Sequence, residues 1–327
     1  MREFEVLQGE GGRRLDKHLS KILGNAPMPL VQKFLRKKLI KLNGAKANGQ
    51  DMIQDGDRIQ VWLSDDFVGE LVTAPKEPQS SGNIRAVYED ADILVANKPP
   101  GLLTQPSKPG GEEDTLNRRL LAYLAKKGQF TPREGSAFAP ACCNRLDRNT
   151  SGLVMCAKNL AASQELSKAF AQGKVNKIYI AAMLGRIDKE QLLEGFIDRN
   201  EETFESLASG DAGKPAAMRV WPVAYGQGFT VARIQLLTGR THQIRAFGKE
   251  MGHPILGDPK YGDASENARL ARVHGVRYQL LHAEKMTYNA DEGKLKGLCG
   301  MEWEAPPHGL FMKFLEKENA VPKARIR

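Results

Sequence analysis

Cys142-Cys143-Asn144-Arg145-Leu146-Asp147-Arg148-Asn149-Thr150-Ser151-Gly152-Leu153-Val154-Met155-Cys156 is the stretch on which the reading of this chain turns. Its second half is an apolar run that suits a strand. Its first half crowds two arginines, one aspartate and several turn-forming residues together. Two readings stand side by side. Asp147 caps a turn, the commonest job of an aspartate in such a loop. Alternatively it is a working carboxylate beside phosphates, with flanking arginines that favour its ionised form.

Outward from this loop, residues 84–97 read as two strands joined at Glu89-Asp90-Ala91-Asp92, and Leu116, Leu120, Leu121 and Leu124 form the stripe of a helix. The polar stretch 126–139 reads as a surface loop. Further strands are expected at 152–157, 175–183, 217–224 and 229–237. Helices inserted irregularly among them suit an α+β fold better than a regular βαβ repeat. After the last of these strands, Thr241 precedes Ile244, Phe247 and Met251 at helical spacing, so Thr241 is the expected N-cap and Gly252 the C′ residue. His242 and Arg245, three apart, share a helix face near its positive end.

The 327 residues carry 48 Lys+Arg against 39 Asp+Glu, a formal charge of +9. Residues 13–46 contain ten Lys/Arg and one Asp, so this short stretch holds the whole excess. Concentrated positive charge is the footprint of a polyanion partner rather than of solubility. Within it, Leu15, Leu19, Ile22 and Leu23, then Leu30, Val31, Phe34, Leu35 and Leu39, recur at helical spacing, with Pro27 and Pro29 breaking two helices apart. The second helix presents Lys33, Arg36, Lys37 and Lys41 on its charged face. Small strands follow, punctuated by Lys41-Leu42-Asn43-Gly44 and Asp55-Gly56-Asp57. The opening Arg14-Leu15-Asp16-Lys17, the middle from Val31 to Gly44 and the close Asp51-Met52-Ile53-Gln54-Asp55-Gly56-Asp57 resemble the S-four-type RNA-binding domain. That resemblance implies a grip on phosphates, which positions a protein without reading sequence. Residues 64–82, rich in Pro, Ser, Gly and acids, read as a linker. The expected division is 1–63, a linker at 64–82, and a catalytic domain at 83–327.

Several classes are excluded. The four cysteines, Cys142, Cys143, Cys156 and Cys299, form no C-x-x-C pair and suit neither zinc nor a disulfide framework, so free and mostly buried thiols are expected. Gly226-Gln227-Gly228 lacks the third glycine of a dinucleotide fingerprint, and Gly213-Lys214 lacks the rest of a P-loop. No run is long and apolar enough to span a bilayer and no signal segment opens the chain, so no membrane and a cytoplasmic setting are expected.

The central loop resembles the R-L-D-x-x-T-S-G-L motif of the RluA-type pseudouridine synthases. Other segments agree in order: Asn97-Lys98-Pro99-Pro100-Gly101-Leu102, Lys177-Ile178-Tyr179-Ile180-Ala181, Gly213-Lys214-Pro215-Ala216, Leu237-Thr238-Gly239-Arg240-Thr241-His242-Gln243-Ile244-Arg245, Gly252 to Gly262, and Leu281-His282-Ala283. The likeness spans about residues 83–312. Asn144 departs from it, since many members have histidine there, and this leaves the substrate subfamily open. The resemblance implies the pseudouridine-synthase α+β fold, a mixed and largely antiparallel bent sheet with flanking helices and a cleft between its halves. It implies isomerisation of uridine in RNA without metal or cofactor, the nucleotide flipped into a pocket because the glycosidic bond is unreachable in a stack. Asp147 is then the catalytic carboxylate, a chemical type known to partner an anomeric carbon. Tyr179 lies against the flipped base, Arg245 pairs with Asp147, Arg145 fills the vacated stack or holds the backbone, and Arg240 meets phosphate. His242 is given no proton-transfer role. Large-subunit 23S ribosomal RNA is the expected partner, with tRNA the alternative, and the chain is expected to act as a monomer. Two competitors remain: an inactive RNA-binding assembly factor, which predicts loss of Asp147, Tyr179 or Arg245, and an S-four-linked methyltransferase, which lacks its cofactor loop here.

Overall fold

The computed structural model describes residues 1–72, 80, 82–108, 111–199, 206–209 and 213–322. The described residues fall into two compact units, one drawn from Met1–Asn83, Asn117–Ala141 and Ala157–Gln164, the other from Ile84–Leu116, Cys142–Cys156 and Glu165–Arg327.

In the first unit, strands β1 (Arg2–Glu5) and β2 (Arg13–Arg14) precede helices α1 (Leu15–Ile22) and α2 (Met28–Arg36), followed by β3 (Ile40–Leu42), β4 (Ala45–Lys46), β5 (Met52–Ile53), β6 (Arg58–Val61) and helix α3 (Asp65–Leu71). Leu15, Leu19, Ile22, Val31, Phe34 and Leu35, the expected helical stripes, are buried in one core. Pro29 does not separate the helices. It sits in the first turn of α2, where a missing N–H costs nothing. The sheet runs β1-β6-β3-β4. Asn43 and Gly44 both have positive φ (52° and 81°), the tight turn that joins β3 to β4.

Two boundaries differ from the sequence expectation. The stretch read as a linker contains α3, because Val68, Leu71 and Val72 give it an apolar side that joins the first unit's core. Part of the stretch read as a surface loop also belongs here. Ala137 enters the same core, and the buried carboxylate of Glu10 accepts from the Ser136 hydroxyl (2.5 Å) and from the backbone N–H groups of Ala137 (2.9 Å) and Phe138 (3.1 Å). A buried carboxylate requires such donors, and nothing local to residue 10 announces where they come from.

The second unit is built on β7 (Ala86–Glu89), β8 (Ile93–Lys98), β9 (Ala141–Cys142), β10 (Ser151–Ala157), β11 (Val175–Leu184), β12 (Gln191–Arg199), β13 (Ser206–Ser209), β14 (Lys214–Gly226), β15 (Phe229–Leu236), β16 (Leu281–Tyr288) and β17 (Glu302–Glu304). Helix α4 (Leu116–Lys126) belongs to the first unit from Asn117 on, α5 (Leu160–Ala171) to the second from Glu165 on, and α6 (Gln243–Glu250), α7 (Ala264–His274) and α8 (Gly309–Lys317) lie wholly in the second. Among the described residues these strands form one 11-stranded sheet ordered β13-β12-β14-β15-β11-β16-β10-β8-β7, with β17 beside β16 and β9 beside β10. Pairing is antiparallel from β13 to β16, whereas β10 runs parallel to β16. The fold is α+β with a mixed, largely antiparallel sheet, as expected. The strands at 175–183, 217–224 and 229–237 stand within a residue or a few of β11, β14 and β15, and β12, β16, α5, α7 and α8 are additions.

The parallel pair explains one glycine. Gly152 (φ 116°) faces β16 so closely that a Cβ there would lie 2.3 Å from the Ala283 carbonyl oxygen. Any side chain would push β10, and the loop before it, off β16. No helix among the described residues is long and apolar enough to cross a membrane. Cys142 and Cys156 are buried thiols with sulfurs 3.5 Å apart, Cys143 is half-buried and Cys299 exposed.

Candidate active site

Residues 143–150 run between β9 and β10, and each side of Asp147 is pinned. The Thr104 hydroxyl donates to the Leu146 carbonyl (2.9 Å) and accepts from the Leu146 N–H (3.1 Å). Beyond Asp147, the Arg148 carbonyl accepts from Lys98 Nζ (3.0 Å), and the Thr150 N–H closes a turn on the Asp147 carbonyl (3.1 Å). Where the loop enters β10, Ser151 Oγ meets His282 Nδ1 at 2.8 Å, while His282 Nε2 lies 2.9 Å from the Ala305 carbonyl. A carbonyl can only accept, so Nε2 carries the proton and Nδ1 accepts from the serine; burial pushes this imidazole down to about 4, which keeps it neutral.

Lys98 is the hidden part of this frame. Its side chain is fully buried at the end of β8, and Nζ donates to the carbonyls of Pro99 (3.0 Å), Leu102 (2.7 Å) and Arg148. Three acceptors use all three N–H groups of an ammonium. Burial pulls its pKa down to about 7, while nearby Asp147 pulls the other way. Lys98→Met is expected to cost about 2–4 kcal/mol of stability, since it strands carbonyls that a charged donor had satisfied. Urea unfolding checks this, and a cost near zero would remove Lys98 from the frame.

The partner of Asp147 comes from α6. Arg245 Nη1 lies 2.9 Å from Asp147 Oδ2, and its Nε and Nη2 make a two-pronged pair with Asp258 (2.7 and 2.9 Å). Asp258 is wholly buried and also accepts the N–H groups of Lys260 and Tyr261. Burial alone would lower the Arg245 pKa, but Asp258 and then Asp147 outweigh it and hold the guanidinium above the usual arginine value. The Tyr261 ring lies under the guanidinium at 4.9 Å, and its hydroxyl is 2.9 Å from His242 Nδ1. His242 Nε2 is 3.7 Å from Asp147 Oδ2. Burial lowers the His242 pKa against the pull of Asp147.

This geometry depends on how the segment before α6 folds, and here the expected cap is wrong. Thr241 is not the N-cap. His242 is, in left-handed conformation (φ 54°). The reason is Gln243, whose Oε1 accepts from the Arg240 N–H (3.0 Å) and the Thr238 hydroxyl (2.8 Å) while its Nε2 donates to the Ala217 carbonyl (2.9 Å). These bonds close the loop that a threonine cap would have opened. Gly252, with φ 75°, does stand just past the helix end.

A cleft of about 1460 Å³ opens over Asp147, lined among others by Arg145, Tyr179, Lys177, Arg240, His242 and Arg245. Asp147 keeps 27% of its side chain exposed there, against 6% for Arg245. Tyr179, buried in β11, lines the cleft with its pKa raised by burial and then by Asp147. A carboxylate clamped by one nitrogen of a doubly paired guanidinium, beside a buried phenol, can meet an electron-poor carbon without turning away. The cation that pairs with Asp147 is therefore Arg245 rather than the adjacent Arg145 and Arg148, which are both exposed. Arg240 donates to the Pro215 carbonyl (2.9 Å) at the cleft's edge. Arg36, Lys37 and Lys41 lie in the first unit, on or after α2. Sequence reasoning missed Lys98, Thr104, Asp258, Tyr261 and the approach of His242. The segments holding Lys98, Asp258 and Tyr261 were visible, but their convergence was not.

The RNA pseudouridylate synthase family model matches residues 92–249, which include Asp147, Tyr179 and Arg245 and most of the cleft's lining. The Uncharacterized RNA pseudouridine synthase YlyB of Bacillus subtilis is 31% identical over 265 residues, which cover 80% of this chain and 84% of that protein. This chain belongs to the RNA pseudouridine synthase family. Its enzymatic activity is that of the family, and RNA is its substrate class. Ribosomal large subunit pseudouridine synthase D of Nitrosomonas europaea is 28% identical over 326 residues, 99% of this chain and 90% of its relative. Among solved structures, Human RNA Pseudouridylate Synthase Domain Containing 1 superposes with a TM-score of 0.54 at 25% identity, covering 76% of this chain and all of its own.

Proposed function

We propose that this synthase converts uridine in large-subunit ribosomal RNA and that Asp147 is its catalytic carboxylate. The observation that carries the chemistry is the Asp147 carboxylate, open to the cleft yet fixed by Arg245 at 2.9 Å. Cleavage of the glycosidic bond builds positive charge at the sugar's anomeric carbon, and a fixed anion placed there stabilises or captures it. The freed uracil turns and rejoins the same carbon through its own carbon 5; the proton leaves that carbon, and the former glycosidic nitrogen gains one. In this scheme Tyr179 packs against the flipped base, Arg145 holds the strand it leaves, and Arg240 contacts phosphate.

The first unit supplies the grip. Arg36 and Lys37 are exposed at the end of α2, and Lys41 Nζ stands 4.9 Å over the ring of Trp62, itself 49% exposed. An exposed tryptophan with a lysine over its ring, in a unit that also exposes Arg36 and Lys37, fits an S-four-like RNA-binding role. The ribosomal assignment draws on relatives named for the large subunit.

The test is to incubate the full chain with large-subunit ribosomal RNA and with tRNA transcripts and to map pseudouridine in each. Conversion in the ribosomal transcript is expected; conversion in tRNA alone would overturn the substrate. The triple change Arg36→Gln, Lys37→Gln, Lys41→Gln is expected to make log-affinity against log-salt shallower by roughly two to three. An unchanged slope would remove this face from the RNA.

A further inference from the structure

Lys177 lines the same cleft two residues before Tyr179 on β11. Side chains two apart on a strand share a face, here separated by about 7 Å along the chain. The other buried cations of the site are all satisfied: Arg245 by two carboxylates, Lys98 by three carbonyls. Lys177 is different. It is half-buried, and among the described residues its ammonium meets no carboxylate and no hydrogen-bond acceptor; its nearest recorded interaction is the Phe170 ring at 5.9 Å. Gly239, in the loop before α6, lies beside it: a Cβ there would stand 3.6 Å from Nζ.

A partly desolvated cation without a counter-charge is a standing cost to the fold. Burial accordingly lowers the Lys177 pKa, with no neighbouring anion to oppose it. A residue of this kind is completed by an anion that arrives with the substrate. We infer that Lys177 binds the phosphodiester next to the flipped nucleotide, so that the phosphate at Lys177 and the base at Tyr179 place the anomeric carbon over Asp147. The inference rests on the RNA reading above and adds a substrate-binding residue to it. Phosphate is favoured over a base edge because a compact ammonium carries charge without planar hydrogen-bond geometry.

The experiment uses the full chain and large-subunit ribosomal RNA transcript. Lys177→Gln is expected to raise KM about tenfold with kcat within about twofold, and to make the salt slope of RNA binding shallower by about one; Lys177→Arg is expected to restore the slope. Because the variant removes an uncompensated charge, Lys177→Gln is also expected to melt at or above the wild-type temperature. An unchanged slope, an arginine variant no better than glutamine, or a lower melting temperature would each overturn the assignment. If the wild-type chain makes no pseudouridine in this RNA, the substrate reading fails, while the slope of binding still decides Lys177.

Discussion

Asp147→Asn is expected to lower the single-turnover rate of pseudouridine formation by on the order of 10⁴-fold or more, the scale seen when an essential catalytic side chain is removed. Asparagine keeps the shape of the side chain and can still accept from Arg245, but it brings no negative charge to the anomeric carbon. The fold should barely register the change. Arg245 retains its two-pronged pair with buried Asp258, and Asp147 is partly exposed, so the loss of stability is expected to stay near 1 kcal/mol. RNA binding should be equal or tighter, since the change removes an anion from beside phosphates. Mass-spectrometric pseudouridine quantification, paired with equilibrium binding of the same transcript, reads both. A variant that converts uridine at the wild-type rate would take Asp147 out of the chemistry, and one that no longer binds would make its role structural.

The parts of the structure that could be read from sequence share a physical basis: each is written in local periodicity or in a contiguous string. The stripes Leu15/Leu19/Ile22 and Val31/Phe34/Leu35 announce α1 and α2 because burial selects one helix face. Asn43-Gly44 announces a hairpin because few other pairs tolerate two positive φ angles. The pairing of Asp147 with Arg245 is legible only through the family resemblance of the two contiguous strings that carry them, since composition alone leaves Asp147 readable as a turn cap. What was illegible is long-range. Glu10 is satisfied by residues 136–138, and Lys98 by carbonyls as distant as Arg148, and no pattern around either residue encodes its acceptor or donor. The missed cap shows the same limit at short range. Thr241 has the chemistry of an N-cap, yet Gln243 closes the loop through Arg240, Thr238 and Ala217, one of them on a neighbouring strand, and so moves the helix start to His242.

Arg245→Met separates two jobs that one guanidinium performs. It leaves Asp258, wholly buried, with only backbone N–H donors from Lys260 and Tyr261 and no counter-charge, and breaking a buried pair from one side costs about 3–5 kcal/mol. A large fall in melting temperature is therefore expected along with loss of activity. Lysine cannot substitute, because a point ammonium cannot bridge Asp147 and grip both oxygens of Asp258 at once. The double variant Arg245→Met, Asp258→Asn distinguishes the roles. Neutralising the stranded carboxylate should recover at least half of the lost stability. Activity should stay lost, because Asp147 still lacks the group that aims it into the cleft. If the double variant regained activity with its fold, Arg245 would serve Asp258 alone, and the 2.9 Å contact with Asp147 would be incidental to catalysis.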